Sequence, residues 1–180
     1  SDSRSLGSAY VIKRVNNVSK PDDMIVASYV GRPKTQDDYN NIMFMLSQYY
    51  NAKIGFENDR GDVIGFAKRF RKLHFLQEEF EMLNKKELQS RTVKRNYGMH
   101  MTEARKRQGE LYIRDWLYNV HKIYDLALLQ ELIKFNHKGN FDRVMSLMIG
   151  MYHTQELYNA EVSDVLGDRS VDEWFDNQYQ

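Results

Sequence analysis

The apolar side chains of this chain change their spacing at Thr35, and this change restricts the possible fold more than any other feature. Before it, residues 8–15 and 24–30 are runs of β-branched and aromatic residues separated by turn residues, which is typical of two strands of a hairpin. After it, apolar residues recur at helical spacing, at Tyr39, Ile42, Met43, Leu46 and Tyr49 or Tyr50. Thr35 is a suitable N-cap for this helix. The sequence therefore predicts two strands followed by a helix.

Strand and helix patterns continue to alternate beyond this helix. Residues 52–56 are typical of a short strand with Ile54 and Phe56 on one side, and a short helix follows to about Leu73. Residues 74–101 have no clear pattern apart from a strand pattern at 97–101. The alternation predicts an α/β domain over residues 1–158, followed by an acidic C-terminal tail over 159–180.

Three further helices are predicted in the second half of the chain. They start at Thr102, cover about 123–135 and cover about 141–157. Their expected buried faces are Ile113, Trp116, Leu117 and Val120 in the first, Leu126, Leu129 and Ile133 in the second, and Val144, Leu147, Met148 and Met151 in the third.

Several function classes are excluded by what the sequence lacks. The 180 residues suit one domain, and the absence of Cys excludes disulfides, thiolate metal sites and thiol nucleophiles. Neither a Walker phosphate loop, a Gly-x-Gly-x-x-Gly motif nor a His-Glu-x-x-His motif occurs. No apolar run reaches the roughly 20 residues that span a bilayer, and the chain does not open on a signal-peptide pattern. A soluble, intracellular protein without a membrane partner is predicted.

The net charge of +1 conceals an uneven distribution of charge along the chain. Residues 60–122 carry 15 Lys and Arg against 8 Asp and Glu, a net charge of +7. Residues 155–180 carry seven acids and one Arg, a net charge of −6. A basic centre with an acidic tail is compatible with a polyanionic partner, although on charge alone two solvated faces are the favoured interpretation.

Two carboxylates stand where the predicted elements begin or end. Glu57 follows the strand at 52–56, and Asp142 lies in the first turn of the helix over 141–157. Converging carboxylates bind hard cations such as Mg²⁺ or Mn²⁺, and a pair of such ions can hydrolyse a phosphodiester. A plainer interpretation makes Glu57 a solvated turn residue and Asp142 an acid that stabilises its helix.

Basic residues cluster before and inside the helix that starts at Thr102. Lys94 and Arg95 precede it, and Arg105, Lys106 and Arg107 lie in its first turns. Cations oppose the dipole at the start of a helix, so another reason for their presence is expected. Contact with nucleic-acid phosphates is one such reason.

An ordered set of short motifs resembles the nuclease domain of the large terminase subunit of tailed bacteriophages. In chain order these are Gly31-Arg32-Pro33, Tyr49-Tyr50-Asn51-Ala52, Phe56-Glu57-Asn58-Asp59-Arg60-Gly61, Tyr97-Gly98-Met99-His100-Met101-Thr102 with Lys106, Gly109, Trp116 and Leu117, Leu128-Leu129-Gln130-Glu131-Leu132-Ile133, and Gly139 to Leu147. The resemblance covers most of residues 5–158. No single motif is specific, but their order is.

The resemblance implies a ribonuclease H-like fold, in which a mixed central sheet is flanked by helices and an acidic cluster binds Mg²⁺ or Mn²⁺. It implies an endonuclease that cuts concatemeric double-stranded DNA during viral genome packaging. Glu57 matches the second acid of the cluster, and Asp142 matches the acid at the start of the final helix. Arg60 and Lys106 match recurrent basic positions of the family.

One part of the family pattern is absent from this sequence. The first metal-binding Asp of the family ends a central strand that precedes the hairpin, and only Asp2 stands near that point, as a secondary acid. The first central strand and its Asp are therefore expected to be missing from this chain, together with the ATPase domain that precedes the nuclease.

The resemblance also implies the surroundings in which the domain works. The expected partners are double-stranded DNA, the portal protein, the small terminase subunit and an upstream ATPase domain, in the cytoplasm of the host cell. Two other functions stay open: a non-catalytic module that guides or docks DNA in the packaging motor, and a purely protein-binding α/β domain.

Overall fold

A computed structural model describes residues 6–14, 23–58, 62–79, 96–118, 123–136 and 139–176, with only the backbone for 160–176. The elements in chain order are β1 (Gly7–Lys13), β2 (Met24–Gly31), α1 (Gln36–Tyr50), α2 (Val63–Arg69), a 3₁₀ turn (Leu73–Phe75), α3 (Glu103–Trp116), α4 (Leu126–Lys134) and α5 (Asp142–Asp176). The α/β class is therefore confirmed. Within these ranges, no helix combines the length and apolar character that crossing a membrane requires.

β1 and β2 form the predicted hairpin, an antiparallel pair that runs from Gly7 opposite Gly31 to Lys13 opposite Met24. Successive side chains of a strand point to opposite faces. Tyr10 and Ile12 contact one apolar cluster, formed mainly by α3, α4 and α5, whereas Ala9 contacts a second cluster of α1, α2 and residues 54–56. The hairpin thus lies between two helical layers.

The strand predicted at 52–56 pairs through single bridges rather than a continuous ladder. Ile54 bridges Leu76 in parallel, Glu57 bridges Met99 in parallel, and Glu78 bridges Tyr97 in antiparallel fashion. Gly98 has a φ of 74°, a left-handed conformation that glycine adopts without strain, and the next amide, Met99 N–H, donates to Phe56 O at 2.8 Å. The pattern at 97–101 accordingly forms bridges and no strand of its own.

α1 begins as the sequence predicts, but its most buried face differs. Thr35 accepts from Asp38 N–H, and Asp38 accepts from Thr35 N–H, which completes a capping box. Met43 is buried as expected, together with Asn40, Phe44 and Ser47, whereas Tyr49 is 83% exposed. The helix is rotated because Phe44 stacks on Phe66 of α2, with 5.4 Å between the ring centroids.

The expected face of α4 is confirmed at Leu129, which packs against the apolar cluster, and is wrong at the other two residues. Leu126 and Ile133 are exposed, and Leu128 is the fully buried residue of this helix. The reason is an ion-pair network: Arg143 of α5 contacts Asp125, the N-cap of α4, at 3.2 Å and Glu131 at 3.3 Å. These contacts turn Leu128, Leu129 and Leu132 toward α5.

The predictions for α3 and α5 agree with the structure where it describes them. Ile113 and Trp116 of α3 are buried, as is the stripe Val144, Leu147, Met148 and Met151 of α5, while Val120 lies outside the described residues. α5 does not stop at 157 but continues to Asp176. The segment predicted as an acidic tail is thus helical over most of its length.

Candidate active site

Glu57 lies at the end of an extended segment, residues 53–57. The backbone of this segment forms hydrogen bonds along one edge only. Ile54 N–H donates to Phe75 O at 2.8 Å, and Gln77 N–H donates to Ile54 O at 2.9 Å. Ile54 and Phe56 are buried, so Glu57 points to the opposite face and is half-buried there. No other described side chain bonds its carboxylate.

Asp142 is the first residue of α5, and its carboxylate is held on one oxygen. Oδ2 accepts the Leu6 N–H at 2.6 Å and lies 3.5 Å from Asn140 Nδ2. No described group donates to Oδ1. One oxygen is therefore fixed by the backbone just before β1, and the other is available to a ligand.

Glu57 and Asp142 line the same cleft, which we call the central cleft. It has a volume of about 1470 Å³ and lies between β1, residues 53–57, α1 and α5. Its apolar wall includes Met43 and Leu46 of α1 and Met145 and Ile149 of α5. The two acids that the sequence singles out are thus brought to one opening, by a segment end and a helix start.

Two strand edges border the central cleft. The 53–57 segment uses residues 54 and 56 to bond its neighbours, so the backbone groups of Lys53, Gly55 and Glu57 face the other way. They bond no described backbone group. On the opposite side, Ser8 O of β1 points away from β2. The cleft is therefore bounded by the unpaired edge of the 53–57 segment and by the outer edge of β1.

Two hydroxyl groups bond the β1 edge where a strand would bond it. Tyr39 Oη of α1 donates to Ser8 O at 2.5 Å, and Ser146 Oγ of α5 donates to the same oxygen at 2.9 Å. Burial is the main cause that raises the pKa of Tyr39 to about 12, and the nearby Asp142 adds to it. Ser8 Oγ is buried and has no partner among the described residues. This end of the cleft is polar, and the phenol stays protonated at neutral pH.

Comparison with protein-family models, with curated proteins and with solved structures gives no match to this chain. The geometry of the central cleft must therefore carry the functional argument.

The donor chemistry of the central cleft fits a hard cation. Glu57 and Asp142 offer carboxylate oxygens, the ligands that Mg²⁺ and Mn²⁺ prefer, and Mg²⁺ commonly binds through one or two carboxylates with water. Among the described residues, no three His, Asp or Glu side chains form a ready ligand set. Two protein ligands are therefore available, and Asp2, the third acid predicted from the sequence, lies outside the described residues.

The predicted DNA-binding residues differ in how the fold uses them. The side chain of Arg105 is only 17% exposed; it donates to His100 O at 2.8 Å and pairs with Glu79 at 3.3 Å. Lys106 lines the central cleft and pairs with Glu103 at 2.9 Å. Arg107 is exposed. Arg60, Lys94 and Arg95 lie outside the described residues.

Sequence reasoning did not identify the polar residues that surround Asp142. Tyr39 was counted with the apolar face of α1, and nothing in the local sequence marks Ser8 or Ser146. These residues meet only through contacts between β1, α1 and α5, so no short motif could have indicated them.

Proposed function

We propose that this chain is a ribonuclease H-like, metal-dependent endonuclease domain that cuts concatemeric double-stranded DNA during viral genome packaging, as the terminase resemblance implies. One observation carries the proposal: Glu57 and Asp142, matched to the family's acids by their motifs, line one cleft although 85 residues (142 − 57) separate them. Carboxylates far apart in sequence that line one cleft are candidates for a hard-cation site.

In this proposal Glu57 and Asp142 hold Mg²⁺ or Mn²⁺. The ions, when bound, supply an activated water and stabilise the leaving oxygen of the phosphodiester. The Leu6 N–H orients the Asp142 carboxylate and leaves Oδ1 for the metal. Lys106, on the wall of the cleft, is suited to contact a phosphate.

The two strand edges support the ribonuclease H-like part of the proposal. A central strand that ends in Asp is expected upstream of β1. The 53–57 side of the central cleft offers unpaired backbone groups for such a strand, and on the β1 side the Tyr39 and Ser146 hydroxyls bond Ser8 O where a strand would bond it. With that strand in place, its Asp would join Glu57 and Asp142. The portal protein, the small terminase subunit and the ATPase domain belong to the same proposal, as does the host cytoplasm.

A plasmid-nicking assay with Mn²⁺ tests the proposal, using the chain with any polypeptide that naturally precedes Ser1. Asp142→Asn keeps the shape of the side chain and removes its charge, so we expect nicking to fall by at least about tenfold to a hundredfold, the loss typical when even an outer partner of a metal site is removed. Glu57→Gln should behave alike.

The matched control is Asp115→Asn, since Asp115 is an exposed carboxylate on α3 that pairs with Arg114 and does not line the central cleft. It should nick as the unchanged chain does. Equal nicking by the Asp142→Asn and unchanged chains would reject the assignment of Asp142. Tight, salt-dependent duplex binding without any metal-dependent cutting would instead indicate the DNA-guiding module.

A further inference from the structure

A second recess, separate from the two carboxylates, is lined by basic side chains. It has a volume of about 650 Å³, and Lys53, Lys68 and Arg71 lie on its wall with His74 and one acid, Glu78. The three cationic side chains are exposed. We call this the basic recess.

The three cations of the basic recess pair with no acid among the described residues. The Lys53 ammonium donates to the backbone carbonyl of His74 at 2.5 Å, which fixes its position without neutralising it. Among the residues that the structure describes, the side chains of Lys68 and Arg71 form no hydrogen bond and no ion pair. Their neighbours differ, because Arg69 pairs with Asp37 at 2.8 Å and Lys72 lies over the Phe44 ring at 5.5 Å.

Stabilisation of the α2 C-terminus explains only part of this cluster. Cations are favoured there by a helix dipole equivalent to about half a charge, and Lys68 and Arg69 already occupy the last turn. Lys53 belongs to a different segment of the chain. The dipole therefore leaves Lys53 and Arg71 unexplained.

Arg71 occupies a backbone position that suits glycine better. Its φ is 57°, and the amides of Arg71 and Lys72 donate to Lys68 O at 3.2 Å and Ala67 O at 2.7 Å, the pattern that ends a helix with a left-handed residue. An arginine here is strained, since a side chain is disfavoured in this conformation. The strain is tolerated at the position that brings a guanidinium into the recess.

We propose that the basic recess binds the phosphodiester backbone of a nucleic-acid duplex. The proposal rests on the proposed function for the kind of polyanion. Lysine ammonium groups and the guanidinium fork are the usual partners of phosphate. Lys53 lines both the recess and the central cleft, so the two openings adjoin.

The spacing agrees with a duplex that covers both openings. Lys53 and Glu57 stand at opposite ends of an extended segment, about 13 Å apart at the usual rise per residue. Over that length a duplex presents about four phosphates on each strand. The recess therefore holds the backbone a few nucleotides from Glu57.

Binding of a short fluorescent duplex in EDTA, over a salt titration, tests the proposal independently of cutting. The test chain carries Lys53→Gln, Lys68→Gln and Arg71→Gly, the last of which suits the left-handed backbone. The control chain carries Lys13→Gln, Arg114→Gln and Lys134→Gln, which remove three exposed charges elsewhere. The plot of log affinity against log salt should become shallower in the test chain, its slope decreasing in magnitude by about 2.7, because each phosphate contact contributes about 0.9. A second test chain with Arg71→Gly alone should decrease the magnitude of the slope by about 0.9.

Three results would overturn the proposal. The first is an unchanged slope in both test chains, and the second is an equal fall in the control chain. The third is competition by poly-glutamate as effective as competition by unlabelled duplex, which would indicate an acidic protein partner. If the unchanged chain binds duplex through these residues but never cuts it, only the endonuclease proposal fails. If the chain that lacks the three cations cuts DNA normally at every salt concentration, only the proposal for the basic recess fails.

Discussion

The carboxylates of the central cleft are held unequally by their surroundings. Asp142 has one oxygen fixed by the Leu6 amide, whereas the Glu57 carboxylate has no described partner and depends on its backbone for its position. A ligand that binds both must order Glu57 more than Asp142. Side-chain ordering of Glu57 is therefore the larger part of the entropic cost of binding.

His153 on α5 is the residue with the clearest link between pH and stability. It is buried over Gly55, where an added Cβ would stand 2.3 Å from the His153 ring. Burial, assisted by the charge of Arg105, lowers the pKa of His153 from 6.5 to about 4. The unfolded chain therefore binds the proton more readily than the folded chain.

The expected result is a loss of stability as the pH falls from about 6.5 to about 4, worth about 3 kcal/mol from this histidine at 1.36 kcal/mol per pKa unit. Urea unfolding at several pH values measures it. His153→Leu should remove this part of the pH dependence, whereas His74→Gln, which changes an exposed imidazole, should not. Parallel pH profiles of the unchanged and His153→Leu chains would contradict the prediction.

At the level of the single residue, the sequence indicated which charged side chains to consider but not which partners they contact in the fold. Glu57 and Asp142 were identified because motifs and element boundaries are local. Arg105 was expected to contact DNA, yet it is largely enclosed by Glu79 and the His100 carbonyl, and its DNA contact stays a prediction. Which side of a helix a charge faces depends on distant partners, and no local pattern contains that information.

At the level of the element, the starts of α1 and α3 were predictable, whereas the end of α5 and the buried faces of α1 and α4 were not. The N-caps of α1 and α3, Thr35 and Thr102, act through hydrogen bonds to residues three positions later, so the sequence contains all that is needed. The buried faces of α1 and α4 depend on Phe66 and Arg143, which belong to other elements. The bridges of residues 54, 76, 97 and 99 likewise join segments that lie far apart in the chain.

The orientation of α4 gives a prediction about its anchoring. Arg143→Met should remove the side-chain contacts to Asp125 and Glu131 and destabilise the chain by about 2–3 kcal/mol, since a partly buried hydrogen bond to Asp125 and an ion pair with Glu131 are lost. Urea unfolding gives the free energy, and amide exchange of α4 locates the effect.

Arg114→Met is the matched control for this prediction. Arg114 pairs with Asp115 at 3.4 Å, but both side chains are well exposed, so the change should cost less than about 1 kcal/mol. If the two variants were equally stable, the ion-pair network would not be what holds α4 in its orientation.

At the level of the whole molecule, the central cleft separates a two-stranded hairpin from a second set of strand-like bridges. The α1 side chains predicted to be buried form part of the wall of this cleft, namely Tyr39, Met43, Leu46 and Tyr50. Their helical spacing indicated an apolar surface correctly. It could not indicate that the surface borders a cleft of about 1470 Å³.

Amide hydrogen exchange can test whether the cleft takes a strand. Ser8, Tyr10 and Gly55 have amides that face the cleft, so they should exchange faster than Ala9 and Val11, which face β2. A polypeptide that adds the expected strand upstream of β1 should slow all three. Slow exchange confined to Ala9 and Val11 in that longer polypeptide would count against strand insertion.

The hydrogen bond from the Leu6 amide to Asp142 has a mechanical consequence. The described part of the fold begins at Leu6, whose amide orients the carboxylate. A force or rotation transmitted through the Leu6 backbone therefore acts on the 2.6 Å contact to Asp142 as well as on β1, which begins at the next residue. The orientation of this carboxylate is thus coupled to the start of the hairpin.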